Sequence, residues 1–348
     1  MDILAVRWKK AFAPKRILAI RLQAMGDLVI TLPYLQQLRN TLPPDTVLDL
    51  LTREEVDEIP KHIHLFNRVY SIRGGRNVRK QFLYTSWMIP RLFIKRYDVV
   101  IDLQDNIISR LVSKSLMPKA WSLFDRLSPV AAGERTRMTI EAIGLGKCFP
   151  FTHFSLTNKE EAIQLLRSNG WKENRQLVIL NPAGAFESRN WPLENYVKFA
   201  ELWLVNFPDT QFLLLGTDFI ASKSAYLAKQ LGNRMINLVN KTTPAQAFAI
   251  VQEVKFVLSE DSGLMHMAWV SGIPTMALFG STQSEKARPL GETSRFVDSN
   301  DLECGSCMQV VCRYGDTHCL TRYTAEMIFE KSIPLLQLKQ SSGSAEIK

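Results

Sequence analysis

The sequence predicts an α/β protein made of two parallel-sheet domains, and three observations carry that expectation. Residues 256–282 run from an apolar stretch through the polar turn Glu260-Asp261-Ser262-Gly263 into a helix-like segment, then into a second apolar stretch at 275–279 that ends in Gly280-Ser281-Thr282. A strand–turn–helix–strand order of this kind belongs to parallel α/β sheets. A second turn of similar type follows the apolar run 16–22, where Gly26 and Asp27 precede a stretch with helical spacing of its apolar residues. The chain has 348 residues, more than one core usually organises, so two domains follow.

Taken in order, residues 1–13 form a short, partly basic leader. Strands are expected at 16–22 and 47–52, with a helix between them running to about residue 40. A further strand at 98–104 ends in a polar cluster of Asp102, Gln104, Asp105 and Asn106. For Asp105 and Asn106, helix capping and turn chemistry are the better reading. The stretch 145–172 has few organising signals and is expected to hold the interdomain linker. The run 176–182 opens the second domain, and 211–218 is another strand ending in a turn. Residues 321–337 read as a final amphipathic helix that, in two-domain folds of this kind, often crosses back to the first domain. The last twelve residues, rich in Ser, Lys and Gln, are expected to be disordered. No tandem repeat at solenoid period is present.

Composition bounds the function. Hydrophobic content of 46% and charged content of 22% suit a soluble globular protein. No apolar run is long enough to cross a bilayer and no signal-peptide core is found, so a cytoplasmic protein is expected. The net charge of +9 is uneven: residues 61–97 hold nine basic side chains and no acidic one. In their midst lies the apolar, Trp-bearing stretch 82–94. Cations around such a stretch suit a surface that lies on anionic lipid. The alternative is a solvated loop plus a core helix. No recognised nucleic-acid module accompanies the charge, so nucleic acid is not the expected partner.

The two turns suggest chemistry. Ligands in open α/β sheets bind off the carboxyl ends of strands, and backbone N–H groups at a helix N-terminus favour phosphate. The turn at 260–263 therefore points to a phosphate-bearing ligand, a nucleotide first of all. The alternative is that Asp261 and Ser262 simply cap the helix. His266, four residues after Ser262, shares its helix face. In the first domain, Gly26 permits a sharp turn that a Cβ would hinder. Asp27, a charged carboxylate at a helix start, is either a cap or a base.

At three places the residues resemble a known family. RILAIRLQAMGDLVITLPYLQQLR at 16–39, NPAGAFESRNWPLENY at 181–196 and EDSGLMHMAWVSGIPTMALFGST at 260–282 resemble the signature regions of the heptosyltransferases, glycosyltransferase family 9. The resemblance runs in order over roughly residues 14–325. It implies two Rossmann-like domains facing across a cleft, the GT-B type: an acceptor-binding domain at 1–165, a nucleotide-sugar domain at 166–325, and a C-terminal helix and tail at 326–348. It also implies inverting, metal-independent transfer of heptose from ADP-heptose to the inner core of lipopolysaccharide. The acceptor would be an anionic glycolipid, met at the inner membrane through the basic segment 61–97. Two other readings stay open: the same fold using another nucleotide-sugar, or a membrane-associated binding protein that has lost transfer.

Inversion needs a base on the incoming hydroxyl, on the face opposite the leaving diphosphate. The resemblance places that base at Asp27. An ionised Asp, with a pKa of about 3.9, accepts the proton only as the new bond forms. Gly26, Asp102 and Gln104 would lie on the acceptor side. Arg189, just before a helix that Pro192 can start, would hold the departing phosphates. Relatives more often carry a lysine there, and Arg grips phosphate bidentately where Lys acts as a point charge. The alternative for Arg189 is a surface ion pair with Glu187. Ser262 and Gly263 would offer N–H groups to the phosphates, while Asp261 would fix the turn or touch sugar hydroxyls. His266 would contact phosphate or sugar, and Gly184, Thr242 and Thr282 complete the implied donor set. Some relatives carry a ribose-binding acid after Gly216; here Ile220 and Ala221 stand nearby.

Four of the five cysteines cluster at 304, 307, 312 and 319, beside His318. Cys304, Cys307, Cys312 and Cys319 allow three readings: reduced structural thiols, a tetrahedral structural zinc, or redox chemistry.

Overall fold

The computed structural model describes residues 3–342 and divides into two compact units between Thr157 and Asn158. The first unit contains, in order, β1 (Ala5–Val6), β2 (Arg16–Ile20), α1 (Met25–Thr41), β3 (Val47–Arg53), α2 (Glu58–His62), β4 (Arg68–Ile72), α3 (Val78–Phe93), β5 (Val99–Asp102), α4 (Ile107–Ser115), β6 (Ala120–Leu123) and α5 (Ala132–Glu141). Its six-stranded sheet has the order β1-β6-β5-β2-β3-β4. Every pairing is parallel except β1 with β6. Ile17, Leu18, Ala19 and Ile20 on β2 are fully buried, as a central strand covered by helices on both faces requires.

The second unit contains α6 (Lys159–Ser168), β7 (Gln176–Asn181), α7 (Leu193–Asn206), β8 (Thr210–Leu214), α8 (Ala221–Leu231), β9 (Met235–Asn237), α9 (Pro244–Val251), β10 (Phe256–Glu260), α10 (Gly263–Val270), β11 (Thr275–Leu278), α11 (Ser284–Ala287), β12 (Ser294–Val297), α12 (His318–Thr321) and α13 (Ala325–Ser342). Its sheet, β12-β11-β10-β7-β8-β9, is parallel throughout. Read from β9, this is the 3-2-1-4-5-6 order of a doubly wound sheet, and the first unit follows the same pattern once β1 is set aside. Both Rossmann-like domains expected of a GT-B chain are therefore present. The strand order reverses between β2 and β5 in one unit and between β7 and β10 in the other, and such reversals open ligand crevices.

The second core is strongly aromatic. Trp203 lies 4.9 Å, centroid to centroid, from Phe256, and Phe199 stacks 6.1 Å from the same ring. Phe329 of α13 meets Phe199 edge-on at 6.0 Å. Such pairs add about 1 kcal/mol each beyond burial. Ile328 and Leu335 of α13 are fully buried in this core, so the last helix is part of the second unit.

Within the leader, Ala5 and Val6 pair with β6. Two expectations change. The division falls at 157/158 rather than 165/166, because α6 packs on α9 and Lys159 pairs with Glu253 at 2.7 Å. The final helix starts at Ala325 and runs past its expected end to Ser342. The tail at 343–348, where disorder was expected, lies outside the described residues. Among the described residues, no helix is long and apolar enough to cross a membrane.

Candidate functional site

In the first unit, β2 ends at Ile20 and the chain turns before entering α1. Gln104 holds this turn: its Oε1 accepts the N–H groups of Leu22 and Gln23, both at 2.9 Å. Gln104 is in turn set by Asp102, whose Oδ1 accepts the N–H groups of Gln104 and Asp105 at 3.0 Å each. Asp102 is 1% exposed, and burial pushes its carboxyl upward. These two residues build the strand-end turns, and Asp102 Oδ2 is buried without a partner among the described residues. Gly26 does not make the sharp turn expected of it. It sits inside the first turn of α1, outside the left-handed region, and the sharp turn falls just before it.

Asp27 is the third residue of α1. Its Oδ2 accepts the Ala24 N–H at 3.1 Å and pairs with Arg21 Nη2 at 2.9 Å. The side chain is 41% exposed, and Oδ1 has no hydrogen-bond partner among the described residues. One oxygen thus caps the helix, the first of the two readings of its sequence position, and the other is left without a partner among the described residues.

Sequence reasoning missed the cations around it. Arg21 and Arg135 are both buried, and their guanidinium carbons lie 5.1 Å and 4.9 Å from the centroid of the Phe124 ring. Burial lowers the pKa of each, and both interact electrostatically with Asp27. Nε of each is buried without a partner among the described residues. The signal was an arginine directly following the apolar run 17–20.

In the second unit, Ser262 is the N-cap of α10. Its Oγ accepts the Met265 N–H at 3.4 Å and the Asn181 Nδ2–H at 2.8 Å. The N–H groups of the first turn, starting at Gly263, have no partner within the helix. Beside them, Asp261 pairs with Arg189 Nη1 at 3.5 Å. Arg189 stacks 4.3 Å from the Phe186 centroid, and its Nε is buried without a partner among the described residues. Burial lowers the Arg189 pKa, and Asp261 opposes that shift. Its acid is Asp261 rather than Glu187, because the turn at 187–189 points the guanidinium toward the end of β10. Thr282, just past β11, carries a buried Oγ1 without a partner among the described residues.

His266 is 8% exposed, and its Nδ1 accepts the Trp269 Nε1–H at 3.0 Å, so helix packing fixes its ring. Thr242 lies in the loop before α9. No hydrogen bond links it to the cluster among the described residues, and its neighbour Thr243 caps α9. The Gly184 N–H is donated to Glu260 at 2.6 Å, so it is not a free donor for a ligand. A Cβ on Gly184 would lie 2.5 Å from the Arg189 carbonyl and 2.8 Å from Glu260 Oε2, so glycine is demanded by close approach.

Glu260 itself was read only as turn polarity. It is fully buried, and its other oxygen accepts the Trp191 N–H at 2.7 Å. Burial pushes its carboxyl up to about 7, against the pull of Lys223 and the two N–H groups. Lys223 donates to the Pro182 carbonyl at 2.9 Å and to Asn190 Oδ1 at 2.6 Å. Glu260 and Lys223 together hold both flanks of Arg189.

The four clustered cysteines are free thiols lining one cavity of about 750 Å³. Burial, with contributions from the other three thiols, pushes Cys319 up to about 11.

Residues 88–318 match the family described as glycosyltransferase family 9 (heptosyltransferase). The chain is 24% identical over 331 residues to lipopolysaccharide heptosyltransferase 1 of Pseudomonas aeruginosa, covering 87% of this chain and 88% of that one. Against lipooligosaccharide heptosyltransferase 2 of Campylobacter jejuni it is 24% identical over 172 residues, 48% of this chain and 53% of the relative. It therefore spans about half the length of that relative. Among solved structures, a glycosyl transferase family 9 protein from Veillonella parvula gives a TM-score of 0.77 at 18% identity, covering 93% and 97% of the two chains. An E. coli heptosyltransferase solved with ADP-2-deoxy-2-fluoro heptose gives 0.64 at 19% identity, covering 91% and 98%. At these identities the structural likeness speaks to the fold.

Proposed function

Because the chain belongs to glycosyltransferase family 9, the heptosyltransferase family, we propose that it transfers heptose from ADP-heptose, with inversion, to the inner core of lipopolysaccharide. The observation that carries this reading is Arg189. Its guanidinium is partly desolvated, with one ion pair at 3.5 Å and a buried Nε without a partner among the described residues. A buried cation left so poorly paired is costly until an anion completes it. The first turn of α10 and the unpartnered Thr282 hydroxyl lie off neighbouring strand ends of the same sheet, a setting suited to a diphosphate.

The steps follow from these groups. The α10 N-terminus and Arg189 hold the nucleotide phosphates and take up the charge that grows as the anomeric bond breaks. Asp27 Oδ1 accepts the proton of the incoming hydroxyl, while Arg21 orients the carboxylate through Oδ2. Arg21 and Arg135 supply positive charge suited to a phosphorylated acceptor. No divalent metal is required at the diphosphate, so adding Mg²⁺ or Mn²⁺ is expected to leave turnover unchanged. The relative solved with an ADP-sugar analogue supports adenine as the donor base.

We place the enzyme on the cytoplasmic side of the inner membrane, lying on it through α3. That helix exposes Leu83 at 60%, Trp87 at 71% and, just beyond its end, Ile94 at 77%, among the cations of 61–97. An apolar face ringed by positive charge suits an anionic bilayer.

The test is to incubate the protein with truncated lipopolysaccharide and a panel of nucleotide-sugars, and to weigh the products. Addition of one heptose from the ADP donor alone is expected, and it should be lost in Arg189→Ala. Transfer of a hexose instead would overturn the donor assignment, and no transfer with any donor would leave a binding protein.

A further inference from the structure

Cys304, Cys307, Cys312 and Cys319 all line the 750 Å³ cavity of the second unit, and Asp316 and His318 line it too. The spacing is C-x2-C-x4-C-x6-C, and its first pair has the separation that two ligands on one tight turn need. The segment between β12 and α12, which bears the first three, contains no strand and no helix, and Cys319 lies in α12. Ser306, Met308 and Thr317 take left-handed φ values of 52°, 56° and 45°. Met308, Val310, Val311 and Tyr314 are exposed. Burial of apolar side chains therefore does little to order this segment, and ordering it is expensive in chain entropy.

Yet the loop is stitched to the donor side. Ser188 donates its N–H to the Val310 carbonyl at 3.3 Å and its hydroxyl to the Gln309 carbonyl. Met308 donates its N–H to the Ser281 carbonyl at 2.8 Å. Ser188 immediately precedes Arg189, and Ser281 immediately precedes Thr282.

We propose that these four cysteines bind one zinc ion as a tetrahedral tetrathiolate, and that the ion orders loop 303–319 so that it clamps the turns carrying Arg189 and Thr282. Binding converts four thiols and Zn²⁺ into a zinc tetrathiolate and releases four protons to solvent, with no redox change. Among the described residues, no three cysteine, histidine or acidic side chains already stand at coordinating distance. Metal capture therefore draws the sulfurs inward across the cavity, where Arg313 offsets part of the charge gained and Glu303 and Asp316 add to it. The ion acts by positioning and does not touch substrate. The metal assignment stands apart from the function proposed above, and only its effect on donor binding rests on that reading.

The full chain, purified under reducing conditions without chelator, is assayed for zinc by mass spectrometry. The metal-free protein is then titrated with Co²⁺. About one zinc per chain is expected, together with the thiolate-to-cobalt charge-transfer and d–d bands of a tetrahedral sulfur site. Cys304→Ser and Cys307→Ser should lose both signals and bind ADP about tenfold more weakly. Cys148→Ser, altered in the other unit, should keep the metal. Absence of zinc together with absence of cobalt bands overturns the site, as does a disulfide among the four. Full metal loss with unchanged ADP affinity overturns the clamp alone. If the wild-type chain holds zinc but binds no ADP, the functional reading fails and the metal site remains.

Discussion

Removing the Glu260 carboxylate is expected to loosen the donor side from beneath. Glu260→Ala leaves the Gly184 and Trp191 N–H groups buried without acceptors, where each now has one within 2.7 Å. A lost acceptor of this kind costs about 1–3 kcal/mol, so the pair amounts to roughly 2–6 kcal/mol, a large share of a domain's usual stability. Lys223 also loses the pull of the Glu260 carboxylate, and Tyr196, which burial and Glu260 push upward, loses that neighbour too. The pH dependence has a definite sign. The folded carboxyl is raised from its ordinary 4.5 to about 7. The folded chain therefore keeps this proton longer than the unfolded one. Stability is complete below about pH 4.5 and declines as pH rises toward 7, by roughly 3 kcal/mol in all. Glu260→Gln should abolish that decline while keeping one acceptor. Urea unfolding across this range, with ADP binding by calorimetry on the same samples, reads both effects. An unchanged pH slope in Glu260→Gln, or a loss under about 1 kcal/mol in Glu260→Ala, would refute the reasoning.

Other outcomes follow from the same geometry. Asp27→Asn should lower turnover by about 10²–10⁴ while costing about 1 kcal/mol of stability as a weakened cap, and retained transfer in the product assay would remove Asp27 as base. Gly184→Ala drives a methyl into the Arg189 carbonyl and should lower both melting temperature and ADP affinity, with about 1–3 kcal/mol of strain. If melting is unaffected, the close approach is not as tight as described. Leu83→Ser with Trp87→Ser, both on the exposed face of α3, should abolish flotation with anionic vesicles and spare unfolding. Equal flotation of mutant and wild type would place the membrane surface elsewhere.

The strands were legible because parallel central strands are apolar on both faces, so runs such as Ile17-Leu18-Ala19-Ile20 and Phe256-Val257-Leu258 read without ambiguity. The helix start at Ser262 was legible for a local reason, since a cap is decided within three residues. What was not legible was nonlocal. One oxygen each of Asp102 and Gln104 serves the strand-end turns, and nothing in a single sequence says which donor a strand-end carboxylate meets. Glu260 was invisible for the same reason: its partners lie 76 and 69 residues away along the chain. Arg189 was assigned to phosphate from the start, yet its pairing with Asp261 had to come from the folded chain.

The short strand at Ala5–Val6 has a consequence of its own. By lying antiparallel on β6, it covers the outermost backbone of an otherwise all-parallel sheet. An unprotected rim of that kind is a template on which other chains add strands. Trimming the first eight residues, or fusing a bulky tag against them, would therefore invite self-association long before it disturbed either nucleotide or sugar chemistry.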